Sequence, residues 1–242
     1  MIEQTHEIAT PDGPMTTFVV HPERDGPHPV ILFFMDAPAI REELRDMARR
    51  LATVGYYVML PNLYHRAGVM EIGDLNDEAT RTRMVDLMNG LTIPMVMADS
   101  DALLAFADKD PAAGGGPAGC LGYCMSGQFS INAAARPPER IAAAASLYGT
   151  YLVTDREDSP HKVAHQTEAE LYFACAETDR WAPLETVRAL AQALEPRDAP
   201  TEVELYPGTS HGFAFPQRAA YDKAAAERHW ERLITLFGRN LG

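Results

Sequence analysis

A continuous apolar run, Pro29 to Met35 (PVILFFM), limits the possible folds of this chain more than any other segment. A run of this kind is typical of a strand buried on both faces, and such strands occur in parallel sheets covered by helices on both sides. Further short apolar segments alternate with helix-period segments, as in 40–54, where apolar residues recur every three or four positions. The sequence therefore predicts an α/β protein with a mostly parallel central sheet and helices on both faces.

The predicted elements alternate along the whole chain. No internal repeat or long linker divides it, and the Gly/Pro-rich stretch Asp110–Gly119 is interpreted as a loop within one domain spanning residues 1–242. Residues 62–76 are predicted to be loop. The predicted strands are 15–21, 29–35, 56–60, 117–123, 141–148, 171–175 and 201–206, and the predicted helices are 40–54, 77–88, 95–106, 125–135, 187–194 and 219–237.

Composition and charge exclude several functional classes. The net charge is −13 and no Lys/Arg block occurs, so a nucleic-acid partner is not expected. The N-terminus lacks a signal-peptide pattern and no apolar run approaches the length of a membrane span, so no membrane association is expected. Three cysteines cannot all pair within the chain, which favours a reducing, cytoplasmic setting. The protein is expected to be a monomer or a homodimer.

Three residues with catalytic chemistry follow predicted strands. Cys124 ends the strand that contains CLGY, Asp179 follows the strand that contains Cys175, and His211 follows the strand that ends near Tyr206. In an open parallel sheet, active residues collect at the carboxyl ends of the strands. The order nucleophile, acid, histidine is that of a nucleophile elbow on an α/β-hydrolase sheet. These residues therefore form a candidate catalytic triad.

The chemistry and position of each member of this triad suit a specific catalytic role. A sharp strand-to-helix turn needs small residues two positions either side of the nucleophile, and Gly122 and Ser126 occupy those positions. The backbone N–H of Met125 is expected to stabilise a developing oxyanion at the helix N-terminus. His211 would exchange the proton of the thiol, and Asp179 would fix its tautomer.

Taken singly, the same residues have simpler interpretations. A lone cysteine in an alanine-rich segment is usually a small core residue, so Cys124 alone would not indicate a nucleophile. Asp179 precedes a predicted helix, where an aspartate usually caps the chain, and His211 lies between residues typical of a loop. The three strand ends in the expected order favour the catalytic interpretation.

The segments GYCMSG, AETDRWAP and GTSHGFAF, supported by LATVGYYVMLPNLYHR and LYGTYLVTDREDSPH, resemble the dienelactone hydrolase family. The similarity extends from about Met15 to Phe237. It implies an α/β-hydrolase fold with a minimal cap and Cys124, Asp179 and His211 as the catalytic triad. It further implies a second oxyanion donor in the loop after PVILFFM, at the N–H of Ala37. In that loop, Asp36 stands nearest to the family's glutamate that holds the resting thiol.

The chain departs from this family at one pocket position. Family members bind a substrate carboxylate with two arginines, and Phe215 stands where one of them is expected. Arg81 or Arg83 is the candidate for the other arginine. An aromatic ring cannot replace a bidentate guanidinium, so the expected substrate is a less charged, more apolar ester or lactone. Tyr64 and Trp181 are further candidates for the pocket wall, with core packing as the open alternative for Trp181.

The predicted activity is hydrolysis of a carboxylic ester or lactone through an acyl-enzyme, with no cofactor or metal. Two alternatives remain open. One is a redox-sensing or binding protein on the same scaffold that uses Cys124, and the other is a thioester or peptide hydrolase with the same triad. The glycine-rich stretch Gly114–Gly119 precedes a strand instead of following one, which is the wrong context for dinucleotide binding.

Overall fold

A computed structural model describes residues 1–137 and 139–242 of the chain. These residues form two compact units, Met1–Gly116 and Pro117–Gly242. The boundary falls inside the glycine-rich stretch predicted to be a loop, so the single domain over 1–242 stays a prediction. The strands are β1 (Ile2–Thr10), β2 (Gly13–His21), β3 (Val30–Phe34), β4 (Tyr57–Pro61), β5 (Ala118–Tyr123), β6 (Ile141–Leu147), β7 (Glu170–Thr178) and β8 (Thr201–Ser210).

The helices alternate with these strands as the hydrophobic periodicity predicts. Short 3₁₀ turns occupy His65–Ala67, Cys124–Ser126 and Ala164–Gln166. The α-helices are α1 (Glu42–Thr53), α2 (Glu78–Gly90), α3 (Ile93–Ala107), α4 (Gly127–Ala134), α5 (Pro160–Val163), α6 (Leu184–Leu194) and α7 (Lys223–Leu241).

In the first unit, β2 pairs antiparallel with β1 and β4, and β3 pairs parallel with β4. The hairpin partner β1 was absent from the sequence prediction, because its exposed polar residues hide the alternation of a strand. The turn signal lies at Asp12-Gly13, where Gly13 has a φ of 116° and Thr10 pairs with Gly13. α1 packs on β2 and β4, and α3 packs on β1 and β3.

In the second unit, β5, β6, β7 and β8 lie side by side in that order and are all parallel. Neighbouring residues of a strand point to opposite faces of its sheet. At Gly119 a Cβ would meet Phe237 of α7, whereas the Cys120 thiol donates to the Ser130 carbonyl of α4. Helices therefore cover both faces of these strands, and the predicted α/β fold with mostly parallel strands is confirmed.

Several predicted boundaries are wrong by a few residues. Strand 201–206 continues to Ser210, and helix 187–194 begins at Leu184. The predicted helix 219–237 begins at Lys223, because the Asp222 carboxylate accepts the N–H of Ala225 and caps it there. Residues predicted to be loop before α2 include the 3₁₀ turn His65–Ala67.

Over 1–137 and 139–242, no single helix is both long and apolar enough to cross a bilayer. α2 and α3 pass that test only when taken together, and their axes differ by 78° at the break between them.

α4 crosses β6 at a very short distance. A Cβ on Gly127 would lie 2.5 Å from the Cα of Gly149 and would also overlap the Ser146 hydroxyl. A Cβ on Gly149 would overlap the same hydroxyl. Glycine is therefore required at position 127 for the helix that follows β5 to approach the strand this closely, and Gly149 leaves room for the Ser146 hydroxyl.

We expect Gly127→Ala to lower the free energy of unfolding by about 1–3 kcal/mol, because the added methyl group overpacks this crossing. The measurement is urea unfolding followed by circular dichroism. Gly115→Ala is the matched control, since a Cβ on Gly115 would meet nothing within 4 Å. If the two variants had equal free energies of unfolding, the close approach at Gly127 would not be a steric constraint.

Candidate active site

Cys124 occupies a strained turn between β5 and α4. Its φ is 55°, which is the left-handed region, and the 3₁₀ turn Cys124–Ser126 leads directly into the helix. A non-glycine residue in this region is uncommon, and such strain concentrates at functional sites. The strand-turn-helix geometry is the one expected for a nucleophile elbow.

The residues flanking Cys124 are small for different reasons. A Cβ on Gly122 would overlap the carbonyl oxygen of Ser126, so only glycine fits there. Ser126 is fully buried with a φ of −88°, which any residue adopts, so its serine costs the turn no backbone strain. The close approach on the helix side is made one residue later, by Gly127.

Hydrogen bonds fix the peptides of this turn. The Cys124 carbonyl accepts the N–H of Gly127 and the N–H of Thr150, the latter at 3.0 Å. The Met125 carbonyl accepts the Gln128 side-chain amide at 3.1 Å. The peptide that carries the Met125 N–H is therefore held through its own carbonyl, that of Cys124.

The register of β7 and β8 brings Asp179 and His211 together. Thr178 pairs with Ser210, so the next residue on each strand lies beside the other. The partners shift from Ala176–Tyr206 to Thr178–Ser210, so β8 bulges by two extra residues between these pairs. The result is a 2.6 Å hydrogen bond between His211 Nδ1 and Asp179 Oδ2.

Asp179 also orders the turn that follows β7, but it does not cap α6, which begins at Leu184 after Pro183 and has no side-chain cap. Its Oδ1 accepts the backbone N–H of Trp181 at 2.8 Å and that of Ala182 at 3.3 Å. One carboxylate oxygen therefore orders the loop while the other holds His211. The expected helix cap is therefore wrong for Asp179, whereas the turn and catalytic interpretations are both compatible with this geometry.

An apolar cavity of about 10 Å³ lies beside Asp179, enough space for about one water molecule. The side chain of Asp179 itself is 1 % exposed. A low local dielectric strengthens a hydrogen bond between charged groups, so these surroundings reinforce the contact with His211. The apolar lining includes Leu152, Cys175, Ala182, Val187 and Leu190.

The charge state of His211 follows from its neighbours. Burial, the largest single influence, lowers the pKa of His211, but contacts with Asp179 and with Cys124 outweigh it and raise the pKa to about 9. The other ring nitrogen, Nε2, is buried and has no well-directed hydrogen bond within 1–137 and 139–242. His211 is thus held at Nδ1 and is predominantly cationic at neutral pH.

The other two thiols have unreactive surroundings. Cys120 and Cys175 are buried in β5 and β7, and all three cysteines are free. Burial raises the pKa of the Cys120 thiol far above its ordinary value, and burial together with the charge of Asp179 raises the pKa of Cys175 to about 12. Because the thiolate is the reactive form, neither residue is a candidate nucleophile.

The predicted oxyanion loop of the first unit is a fixed turn. Asp36 is fully buried and pairs with Arg41 at 2.6 Å, while its carbonyl accepts the Ala39 N–H at 3.1 Å. The hydroxyl of Tyr64 donates to the Ala37 carbonyl at 2.9 Å. Tyr64 therefore orders the turn that contains Ala37. The contact of Asp36 with a resting thiol and the donor role of the Ala37 N–H stay predictions.

Of the two candidate arginines of the first unit, Arg81 has local partners. The guanidinium of Arg81 donates to the carbonyls of Leu75 and Asn76, both at 2.8 Å, and orders the start of α2. Arg83 is exposed on the same helix. A role for either arginine in binding a carboxylate stays a prediction.

The two aromatic pocket candidates of the second unit differ in exposure. Trp181 is 38 % exposed, with the guanidinium of Arg180 over its ring, and is available to a ligand. Phe215 is fully buried, 5.2 Å from the ring of Tyr123 and beneath the guanidinium of Arg218. Phe215 therefore supports the site from within the core.

Sequence reasoning missed the residues that hold the turn in place. Gln128 contacts the Met125 carbonyl, and Thr150 contacts the Cys124 carbonyl through its backbone. Tyr148 packs its ring against His211. The one available signal was their position in the sequence. Tyr148 ends the predicted strand 141–148 and Thr150 follows it, at the same type of strand end as the triad residues.

Comparisons with known proteins identify the family of this chain. The model of the dienelactone hydrolase family matches residues 15–241. A protein of Escherichia coli (strain K12), provisionally named carboxymethylenebutenolidase, is 31% identical over 225 residues, which cover 89% of this chain and 78% of that protein. A protein of Methylorubrum extorquens with the same provisional name is 28% identical over 239 residues, covering 96% of this chain and 79% of that one.

Solved structures give the same result for the fold. The crystal structure of a protein provisionally named dienelactone hydrolase, from Klebsiella pneumoniae subsp. pneumoniae MGH 78578, is similar with a TM-score of 0.86 at 27% identity, covering 98% of each chain. The dienelactone hydrolase-like promiscuous phosphotriesterase P91 from metagenomic libraries has a TM-score of 0.82 at 19% identity, covering 100% of each chain, a likeness of fold alone. The family match spans nearly the whole sequence, so this chain belongs to the dienelactone hydrolase family and is a hydrolase with the α/β-hydrolase fold.

Proposed function

We propose that this protein hydrolyses a carboxylic ester or lactone, with Cys124 as nucleophile, His211 as acid and base, and Asp179 as the group that orients His211. The observation with most weight is the 2.6 Å hydrogen bond between His211 Nδ1 and Asp179 Oδ2. Because Nδ1 is held in this way, the buried Nε2 is the ring nitrogen that exchanges the proton in the reaction. The left-handed turn at Cys124 supports the same assignment.

Acylation begins from a cationic His211 beside Cys124. A positive charge next to a thiol favours the thiolate, which is the nucleophile. The thiolate sulfur attacks the carbonyl carbon, forming a C–S bond and a tetrahedral oxyanion. When the C–O bond of the substrate breaks, the leaving oxygen takes the proton from His211 Nε2. For a lactone, the released hydroxyl stays attached to the acyl group.

Deacylation returns the site to its starting state. Neutral His211 accepts a proton from water as the water oxygen attacks the thioester carbon. The C–S bond then breaks, the carboxylic acid leaves, and Cys124 is again a thiolate beside a protonated His211. Asp179 keeps its charge throughout and stabilises the imidazolium.

The oxyanion of both steps needs fixed N–H donors. The Met125 N–H follows the nucleophile directly, and the carbonyl of the same peptide accepts from Thr150 and Gly127. Hydrogen bonds polarise one another along a chain, which favours this N–H as a donor. The Ala37 N–H is the proposed second donor, from the loop turn that Tyr64 orders.

The setting of the enzyme follows the same proposal. Its partner is a small-molecule ester or lactone, and the provisional name of several relatives, carboxymethylenebutenolidase, supports a cyclic ester. Three free cysteines support work in the reducing cytoplasm, as a monomer or a homodimer. A disulfide-based sensor is disfavoured, because burial keeps Cys120 and Cys175 as thiols.

Triad variants test the assignment with a panel of aryl esters and lactones. We expect Cys124→Ala and His211→Ala to abolish turnover, and Asp179→Asn to lower kcat by about 10²- to 10⁴-fold, because the amide cannot stabilise the imidazolium. Iodoacetamide should label Cys124 and leave Cys175, the control thiol, unlabelled. Turnover by Cys124→Ala at the wild-type rate would show that Cys124 is not the nucleophile.

The pH dependence tests the role of His211. Its pKa is raised from 6.5 to about 9, so the proton that it gives to the leaving group is present below pH 9 and lost above it. We expect kcat/KM to fall as the pH rises through about 9. Asp179→Asn removes a contact that raises this pKa, so the fall should move to lower pH. If kcat/KM of Asp179→Asn fell at the same pH as in the wild type, the proposed pairing of Asp179 with His211 would be contradicted.

Substrate preference tests the consequence of Phe215. Its buried ring supplies no charge for a substrate carboxylate. We therefore expect higher kcat/KM for a neutral aryl ester than for a lactone of similar size that bears a carboxylate, both measured at pH 7. A strong preference for the acid would contradict the proposed substrate class.

A further inference from the structure

The segment after β6 has a backbone that its residue types do not favour. Tyr148 has a φ of 37° and Tyr151 a φ of 57°, both in the left-handed region. For a bulky side chain this is a genuine outlier, and it persists only where the surroundings enforce it.

The ring of Tyr148 packs against the ring of His211. Their centroids are 5.0 Å apart and their planes are inclined at 63°, an edge-to-face arrangement. Tyr148 is 1 % exposed, and its ring also meets Phe213 at 5.3 Å. His211 is thus confined by Asp179 at Nδ1 and by the Tyr148 ring at its side.

The backbone of the same segment contacts the nucleophile turn. The N–H of Thr150 donates to the Cys124 carbonyl at 3.0 Å, and the N–H of Tyr148 donates to the Ala174 carbonyl of β7 at 2.6 Å. Gly149 lies between them, where α4 approaches β6. One short segment therefore reaches His211 with a side chain and Cys124 with a backbone group.

We propose that Tyr148 is a positioning residue for the reaction: its left-handed backbone directs its ring against His211 and the Thr150 N–H onto the Cys124 carbonyl. The separation of nucleophile and base then depends on one rigid segment. Misplacement of reacting groups by about 1 Å can cost about 10²-fold in rate, so this constraint has kinetic weight. The inference rests on the proposed function, because it assigns Tyr148 a role in that same triad.

A purely structural role is the competing explanation. Tyr148 belongs to a buried aromatic cluster, and loss of its ring would lower stability wherever the ring lay. The groups that face His211 are Asp179, Cys124 and Tyr148, and the guanidinium of Arg218 lies against the neighbouring Gly212. A change in the titration of His211 is therefore a readout that general destabilisation would not produce.

The test compares Tyr148→Leu and Tyr148→Phe in the full-length protein. We expect Tyr148→Leu to lower kcat by about 10- to 100-fold with little change in KM. Its His211 pKa, measured by NMR titration of the imidazole, should move from about 9 toward 6.5, because the contacts with Asp179 and Cys124 loosen. Tyr148→Phe keeps the ring and should retain both values.

The control is Phe237→Leu, which truncates a fully buried ring in α7 and should lower thermal stability alone. If Tyr148→Leu changes kcat and the His211 titration no more than this control does, the proposal is wrong. Should Tyr148→Leu fail to fold, Tyr148→Gly, whose backbone accepts the left-handed region, has the same expected results. If the wild type turns over no ester, the proposed function fails, and the His211 titration of the variants still decides the role of Tyr148.

Discussion

The left-handed turn at Cys124 is the constraint on which the rest of the site depends. An L-residue with a side chain adopts it only when the surroundings impose it, and here Gly122, Gly127 and Thr150 do so. Gly122 leaves room for the Ser126 carbonyl, and Gly127 lets α4 start against β6. The backbone strain is thus offset by close packing and by the hydrogen bonds that Thr150 and Gly127 donate to the Cys124 carbonyl.

The positive charge of His211 is the second feature on which the site depends. Its Nδ1 bond to Asp179 depends on the register of β7 and β8, and its raised pKa depends on both Asp179 and Cys124. The apolar surroundings of Asp179 raise the energetic cost of losing either partner. Geometry and protonation state are therefore set by the same contacts, and a change in one will be seen in the other.

The sequence was sufficient to predict what depends on local pattern. The apolar runs and helix-period segments predicted the parallel α/β architecture, and the strand ends selected Cys124, Asp179 and His211 as candidates. What it could not predict depends on contacts between distant segments: the hairpin strand β1, whose polar face carries no clear period, and the contacts of Tyr148 and Thr150. The two extra residues in β8 could not be predicted for the same reason, because a bulge is defined only by the pairing of two strands.

The position of β8 at the end of the strand order has a consequence for how the protein loses activity. Over residues 1–137 and 139–242, β8 pairs with β7 alone, and the imidazole of His211 follows its last residue. Terminal strands open locally at lower free energy than the centre of a sheet. Partial fraying of the last β8 pairs would separate the imidazole from its carboxylate while β5, β6 and β7 stay intact. Under the proposed function, catalysis would then fail on warming before the circular dichroism signal changes. Enzymatic inactivation would report on one strand end and not on the stability of the whole chain.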